Sequence, residues 1–140
     1  MPISYSDLEF AFFFANSGGL GENRAILDTR SGRLYYHSEV ADNMEEDEFP
    51  DDIDDEKYIE IPHRNELGLG KPLVLEFARE VLPDDYDEVR AIFSRKGAYG
   101  RFKALLVRRR ALDRWHDFSN KAEQAALRQW CSDNGIEFVD

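Results

Sequence analysis

Apolar positions along this chain follow two different periods, and the order in which they occur predicts the architecture. In 6–16, Leu8, Phe10, Ala11, Phe12, Phe13 and Phe14 leave few polar positions, which predicts a helix apolar on most sides. Such a helix lies deep or faces a partner. Ser6 followed by Glu9 has the form of a capping box at its start. "NSGGLGEN" at 16–23 reads as a connector, because it lacks the lysine and hydroxyl residue of a phosphate-binding loop.

A period of two then takes over. "AILDTRSGRLYYHS" predicts a hairpin over 25–38, with Gly32 free to adopt positive φ in the turn. "KYIEIP" puts Ile59 and Ile61 on one face and Tyr58 and Glu60 on the other, a strand over 58–61 ended by Pro62.

From Pro72 onward the period is helical. Leu73, Phe77 and Val81 recur at spacing four, with Val74 and Ala78 beside them, and Pro83 stops the helix. Asp84 or Asp85 is expected to cap a third helix carrying Val89, Ile92 and Phe93, with Gly97 ending it. A fourth helix over 98–108 turns Phe102, Leu105 and Leu106 inward. "ALDRWHDF" reads as a short helix or turn presenting Leu112, Trp115 and Phe118. Asn120 with Glu123 forms another capping pattern, which starts a last helix over 121–134 with the stripe Leu127, Trp130, Cys131. Gly135 ends it, and 136–139 is a closing strand. Strands early and helices late predict an α+β fold: a small, mainly antiparallel sheet covered by about five helices, in a single domain over 1–140.

Charge changes the picture from architecture to surfaces. The formal net charge of -11 disfavours nonspecific nucleic-acid binding by the whole surface. It is unevenly spread. Ten acids and no base lie in 42–56, which reads as a solvated acidic loop and, with the basic helical surface at 95–110, as one of two charged surfaces through which an interaction module would bind a protein or nucleic-acid partner. Nine bases against one acid lie in 90–114, a net of +8 that leaves -19 on the rest of the chain. No apolar run is long enough to span a membrane, and the acids before the first apolar run argue against a signal peptide. With one cysteine, Cys131, no intrachain disulfide forms, which fits a reducing, cytoplasmic setting.

Several stretches together carry a family texture: Leu27, Asp28 and Gly32 in the hairpin, then "YIEIP", "AIFSRKGAYGRFKALL" and "LDRWHDFSNKAEQAALRQWCSDNGIEF". The chain resembles the bacterial uncharacterised protein family 0158 over about residues 20 to 138. The most specific part is glycine–alanine–aromatic followed by Arg101, Phe102 and Lys103, with Trp115 beyond. Gly100 stands where that pattern usually has a basic residue. The family has no assigned activity, so the resemblance implies a fold and no mechanism.

The candidate interaction residues are Arg95, Lys96, Tyr99, Arg101, Lys103, Arg108 and Arg109. Arg101 and Arg108 are seven apart and so nearly aligned on a helix, with Lys103 to one side, away from the inward apolar residues. This basic surface either pairs with the chain's own acids, contacts an external protein or nucleic-acid partner, or is merely solvated. Tyr99 and Trp115 have the chemistry to stack on bases, although aromatics more often fill cores. "GAYG" at 97–100 matches the GxxG of KH domains, a four-residue pattern with two fixed positions. Asp47, Asp51, Asp52, Asp54 and Asp55 offer oxygens for a cation but lack EF-hand spacing. His37, His63 and His116 are dispersed, and no metal or other cofactor is expected.

Cys131 on its apolar stripe reads as a small buried hydrophobe. An alternative is a carboxylate- or metal-dependent hydrolase or transferase using Asp28 and Glu60, which requires them to converge with a histidine in one pocket. A further expectation is a homo-oligomer that buries the aromatic amino-terminal helix.

Overall fold

The computed structural model describes residues 2–17, 22–38 and 56–140. Apart from Glu56, the acidic run at 42–56 lies outside the described residues, as do 18–21 of the glycine-rich connector. The fold is α+β, with five α-helices, a three-stranded antiparallel sheet and a separate parallel strand pair among the described residues. The chain forms two compact units, Met1–Leu67 with Leu127–Asp140, and Gly68–Ala126.

In the first unit, β1 (Ile3–Ser4) leads directly into α1 (Tyr5–Ala15). The expected capping box is not formed. Ser4, in extended conformation, is the N-cap residue, and Ser6 lies inside the helix. Pairing of β1 draws the helix start two residues earlier than the local Ser–Glu pattern indicates. Tyr5, Leu8, Ala11 and Phe12 are buried, and α1 packs along β2 (Asn23–Asp28). Next come β3 (Leu34–Ser38) and β4 (Tyr58–Glu60). Both pair with β2, in the order β3-β2-β4. As the central strand, β2 buries Ala25, Ile26 and Leu27 consecutively. The hairpin turn has Gly32 at φ 76, as its spacing predicts.

The closing strand is found, but with a different partner. β5 (Phe138–Val139) runs parallel to β1, with Ile3 opposite Phe138, and does not join the antiparallel sheet. A two-residue strand such as β1 has no period to detect, so this pairing had no local signal. Arg128 fastens the corner: its guanidinium lies 4.6 Å from the Tyr5 ring centre and 5.1 Å from that of Phe138, and Nη2 donates to Asp140 Oδ1 at 2.6 Å.

The second unit is helical throughout: α2 (Lys71–Val81), a 3-10 turn (Pro83–Asp85), α3 (Tyr86–Ile92), α4 (Ala98–Arg108) and the first part of α5 (Leu112–Asp133). Val74, Phe77, Ala78, Val89, Phe102, Leu105, Leu106 and Ala111 form its core. Trp115 lies edge-on to Phe77 and Phe102 at centroid distances of 5.3 and 5.1 Å, and Phe118 lies 5.3 Å from Phe77. The aromatics carry much of the buried area here.

Two boundaries differ from expectation. Gly97, at φ 76, opens α4 and does not close α3, which ends at Ile92. And α5 is continuous over 22 residues, with no break at Asn120. No glycine or proline lies between Leu112 and Asp133. The i→i−4 ladder therefore prevails over the capping pattern. Lys121 even pairs with Asp117 across the expected break, at 3.0 Å.

Candidate functional site

The basic segment occupies the 93–97 turn and α4. Because Phe102, Leu105 and Leu106 point inward, a 100° step per residue puts Gly100, Ala104 and Val107 outermost on α4. Tyr99 and Lys103 lie along one flank of that line, Arg101 and Arg108 along the other. All of these outer positions are exposed, Val107 at 57% and Tyr99 at 50%. Tyr99 is nonetheless anchored, since its ring meets Phe93 edge-on at 5.1 Å.

The seven candidate residues divide by partner. Arg108 Nη2 donates to Glu88 Oε1 at 3.1 Å. Arg109 donates from Nε and Nη2 to both Asp85 oxygens at 2.9 Å. These two arginines are taken up by acids of the preceding helix and its 3-10 turn, within the same unit. Asp85 is the N-cap residue of α3 but makes no side-chain cap bond. Its carboxylate serves Arg109 instead. Arg95, Lys96, Arg101 and Lys103 have no ion-pair or hydrogen-bond partner for their side chains among the described residues, and all four are exposed. They surround the start of α4, where Gly97 supplies no side-chain cap and the first backbone N–H groups have no intrahelical acceptor.

Trp115 is half-buried, its ring packed edge-on against the core residues Phe77 and Phe102 and so engaged there. "GAYG" does lie where two helices meet, with Gly97 before α4 and Gly100 in its first turn, but the strands that a KH arrangement needs around the helix pair are absent from Gly68–Ala126.

The carboxylates of the enzymatic alternative sit on one sheet but line separate cavities. Asp28 Oδ1 accepts from the backbone N–H groups of Arg30 at 2.9 Å and Ser31 at 3.3 Å, an Asx turn that shapes the hairpin. Burial pushes its carboxyl upward. The two backbone bonds, the Ser31 hydroxyl and the Lys57 charge outweigh that and hold it below the usual value. Glu60 lies opposite Ile26, and its Oε1 accepts from Arg24 Nε at 2.7 Å. His63 lines the same cavity as Glu60, whereas Asp28 faces another beside Gly135 and Glu137. Among the described residues, no three His, Cys, Asp or Glu side chains are grouped to hold a metal ion. Cys131 is fully buried, and burial raises its thiol pKa against the opposing pull of Arg128.

One surface was legible only in part. Phe10 and Phe13 stand 57% and 68% exposed on α1, with Phe14 and Tyr36 packed edge-on behind them at 5.1 Å. Asp7 and Glu9 are exposed on the same helix. The uniform apolarity of α1 predicted burial or a partner without saying which residues remain outside. No helix among the described residues is long and apolar enough to cross a membrane. The chain matches no protein-family model, no curated protein and no solved structure.

Proposed function

We propose that the chain is an interaction module that docks an anionic macromolecule, protein or nucleic acid, through the 93–97 turn and the amino-terminal half of α4. The observation that carries this reading is the set Arg95, Lys96, Arg101 and Lys103, exposed and without a side-chain partner among the described residues of a chain with net charge -11. In an acidic protein, unpaired bases concentrated at one helix start make a local positive field that draws phosphate or carboxylate groups. The uncapped N–H groups of α4 add to the same field. Arg108 and Arg109 bound the patch, because Glu88 and Asp85 neutralise them.

The proposal includes a cytoplasmic setting and membership of uncharacterised protein family 0158, on the stretches from "YIEIP" to "GIEF". Fluorescence anisotropy with labelled single-stranded RNA, duplex DNA and an acidic peptide, each across a salt series, tests it. Binding that falls steeply with salt and vanishes in the Arg101→Glu/Lys103→Glu variant supports the reading. Absence of binding to all probes at low salt, or equal binding by the reversed variant, removes it. The exposed Phe10 and Phe13 favour a second reading, self-association through α1, because large aromatics in contact with water mark interaction surfaces.

A further inference from the structure

We infer that the outer face of α4 docks an acidic amphipathic helix of a partner protein. This deepens the proposed function and rests on it, selecting protein over nucleic acid as the anionic partner.

Apolar exposure and unpaired positive charge coincide on this face. Among the large hydrophobic residues of Gly68–Ala126, only Tyr99 and Val107 stand exposed, at 50% and 57%, and both are on α4. Lys103 lies between them at spacing four, so the three form one ridge along the helix. The side-chain charges of Lys103, Arg95, Lys96 and Arg101 have no partner among the described residues. Phosphate binding gives a use to the bases, and a stacked nucleobase gives one to Tyr99. Neither gives a use to an aliphatic side chain in water. A protein partner uses Val107 as well, by removing its apolar area from solvent.

The form of the surface selects a helix. Beyond its first turn, α4 spends its backbone N–H groups on its own ladder, so an extended segment finds no edge to pair with. A second helix instead lays its side chains beside the Tyr99–Lys103–Val107 ridge. Gly100 and Ala104 are exposed next to that ridge, and the space over Gly100 is open, which lets the two backbones come close. From Tyr99 to Val107 the contact spans about 12 Å of helix axis, a little over two turns.

Charge sets the composition of the occupant. Lys103 flanks the outer line on one side and Arg101 on the other, so acids on both edges of the incoming helix meet a base. Arg95 and Lys96 extend the positive field past the start of α4. At its other end, Glu88 and Asp85 occupy Arg108 and Arg109, and Asp84 adds negative charge near Arg109. The occupant's acids therefore gather over the start of α4, and its apolar side chains reach on to Val107.

Fluorescence anisotropy and ¹⁵N amide shifts of the full chain test the inference with three probes. These are a peptide of about three heptads with Leu at a and d and Glu at e and g, a scrambled peptide of the same composition, and an oligouridine. The heptad peptide is expected to bind saturably, with shifts over 99–107, and at least about tenfold more tightly than the scrambled one, because only it presents its leucines on one face. Val107→Ser alters no charge and no buried residue. It is expected to weaken heptad-peptide binding about tenfold and to leave oligouridine binding unchanged. Three results overturn the inference while leaving anion docking by α4 in place: equal binding of the two peptides, oligouridine binding without peptide binding, or heptad-peptide binding indifferent to Val107→Ser. Absence of binding to all three probes removes both.

Discussion

Arg109 and Asp85 are joined by a two-pronged ion pair, Nε to Oδ2 and Nη2 to Oδ1, both at 2.9 Å. Arg109 is the C-cap residue of α4 and Asp85 the N-cap residue of α3, so each charge also sits at the helix end that favours it. The pair ties the end of one helix to the start of the other and removes one arginine from the basic surface.

The pair gives a pH signature. The Arg109 hydrogen bond, acting against slight desolvation, holds Asp85 below its ordinary 3.8. Its stabilising contribution is therefore complete above 3.8 and is lost as pH falls through the lower folded value. In Arg109→Met, the Asp85 carboxyl is expected to titrate at higher pH, read from its ¹³C shift. An unmoved titration would show that the arginine is not the cause.

The basic residues are expected to differ in their effect on stability. Arg101→Glu and Lys103→Glu break no ion pair among the described residues, so each should change unfolding free energy by about 0.5 kcal/mol or less. Arg109→Glu puts like charges together and should lower the urea midpoint visibly more. A larger loss at Arg101 or Lys103 than at Arg109 would mean that those two side chains have internal partners.

Phe77 is fully buried between Trp115 and Phe118. Phe77→Ala should cost about 3–5 kcal/mol, because the fixed rings around it cannot close the void. Urea unfolding followed by tryptophan fluorescence measures this, since Trp115 reports on the same cluster.

Cys131 is fully buried with its thiol pKa raised, so the native protein should resist alkylation at neutral pH and react promptly in denaturant. Rapid labelling without denaturant would show local opening around the end of α5.

Phe10→Ser/Phe13→Ser removes the two most exposed phenylalanines of α1 while leaving its buried Leu8 and Phe12 in place. Sedimentation velocity is expected to show less self-association in this variant than in the parent chain. A parent that stays at 16.3 kDa at high concentration would exclude the self-association reading.

Local pattern was enough for most elements. Periodicity located α2 and α4, because Phe77, Phe102, Leu105 and Leu106 repeat with the helix and are buried. Turn chemistry located the hairpin, because Asp28 and Gly32 satisfy the turn by themselves. Tertiary structure decided what depends on neighbours distant in sequence. The parallel partner of β5 is two residues at the opposite end of the chain, and two residues carry no period. The continuity of α5 required that helix hydrogen bonding outweigh a local cap at Asn120. The fate of each base was decided the same way: all six basic candidates share one run of sequence, but only the positions of Glu88 and Asp85 determine that Arg108 and Arg109 are paired while Arg101 and Lys103 face solvent. Composition fixes how much charge a segment carries; the distance to the opposing charge fixes how much of it is left for anything else.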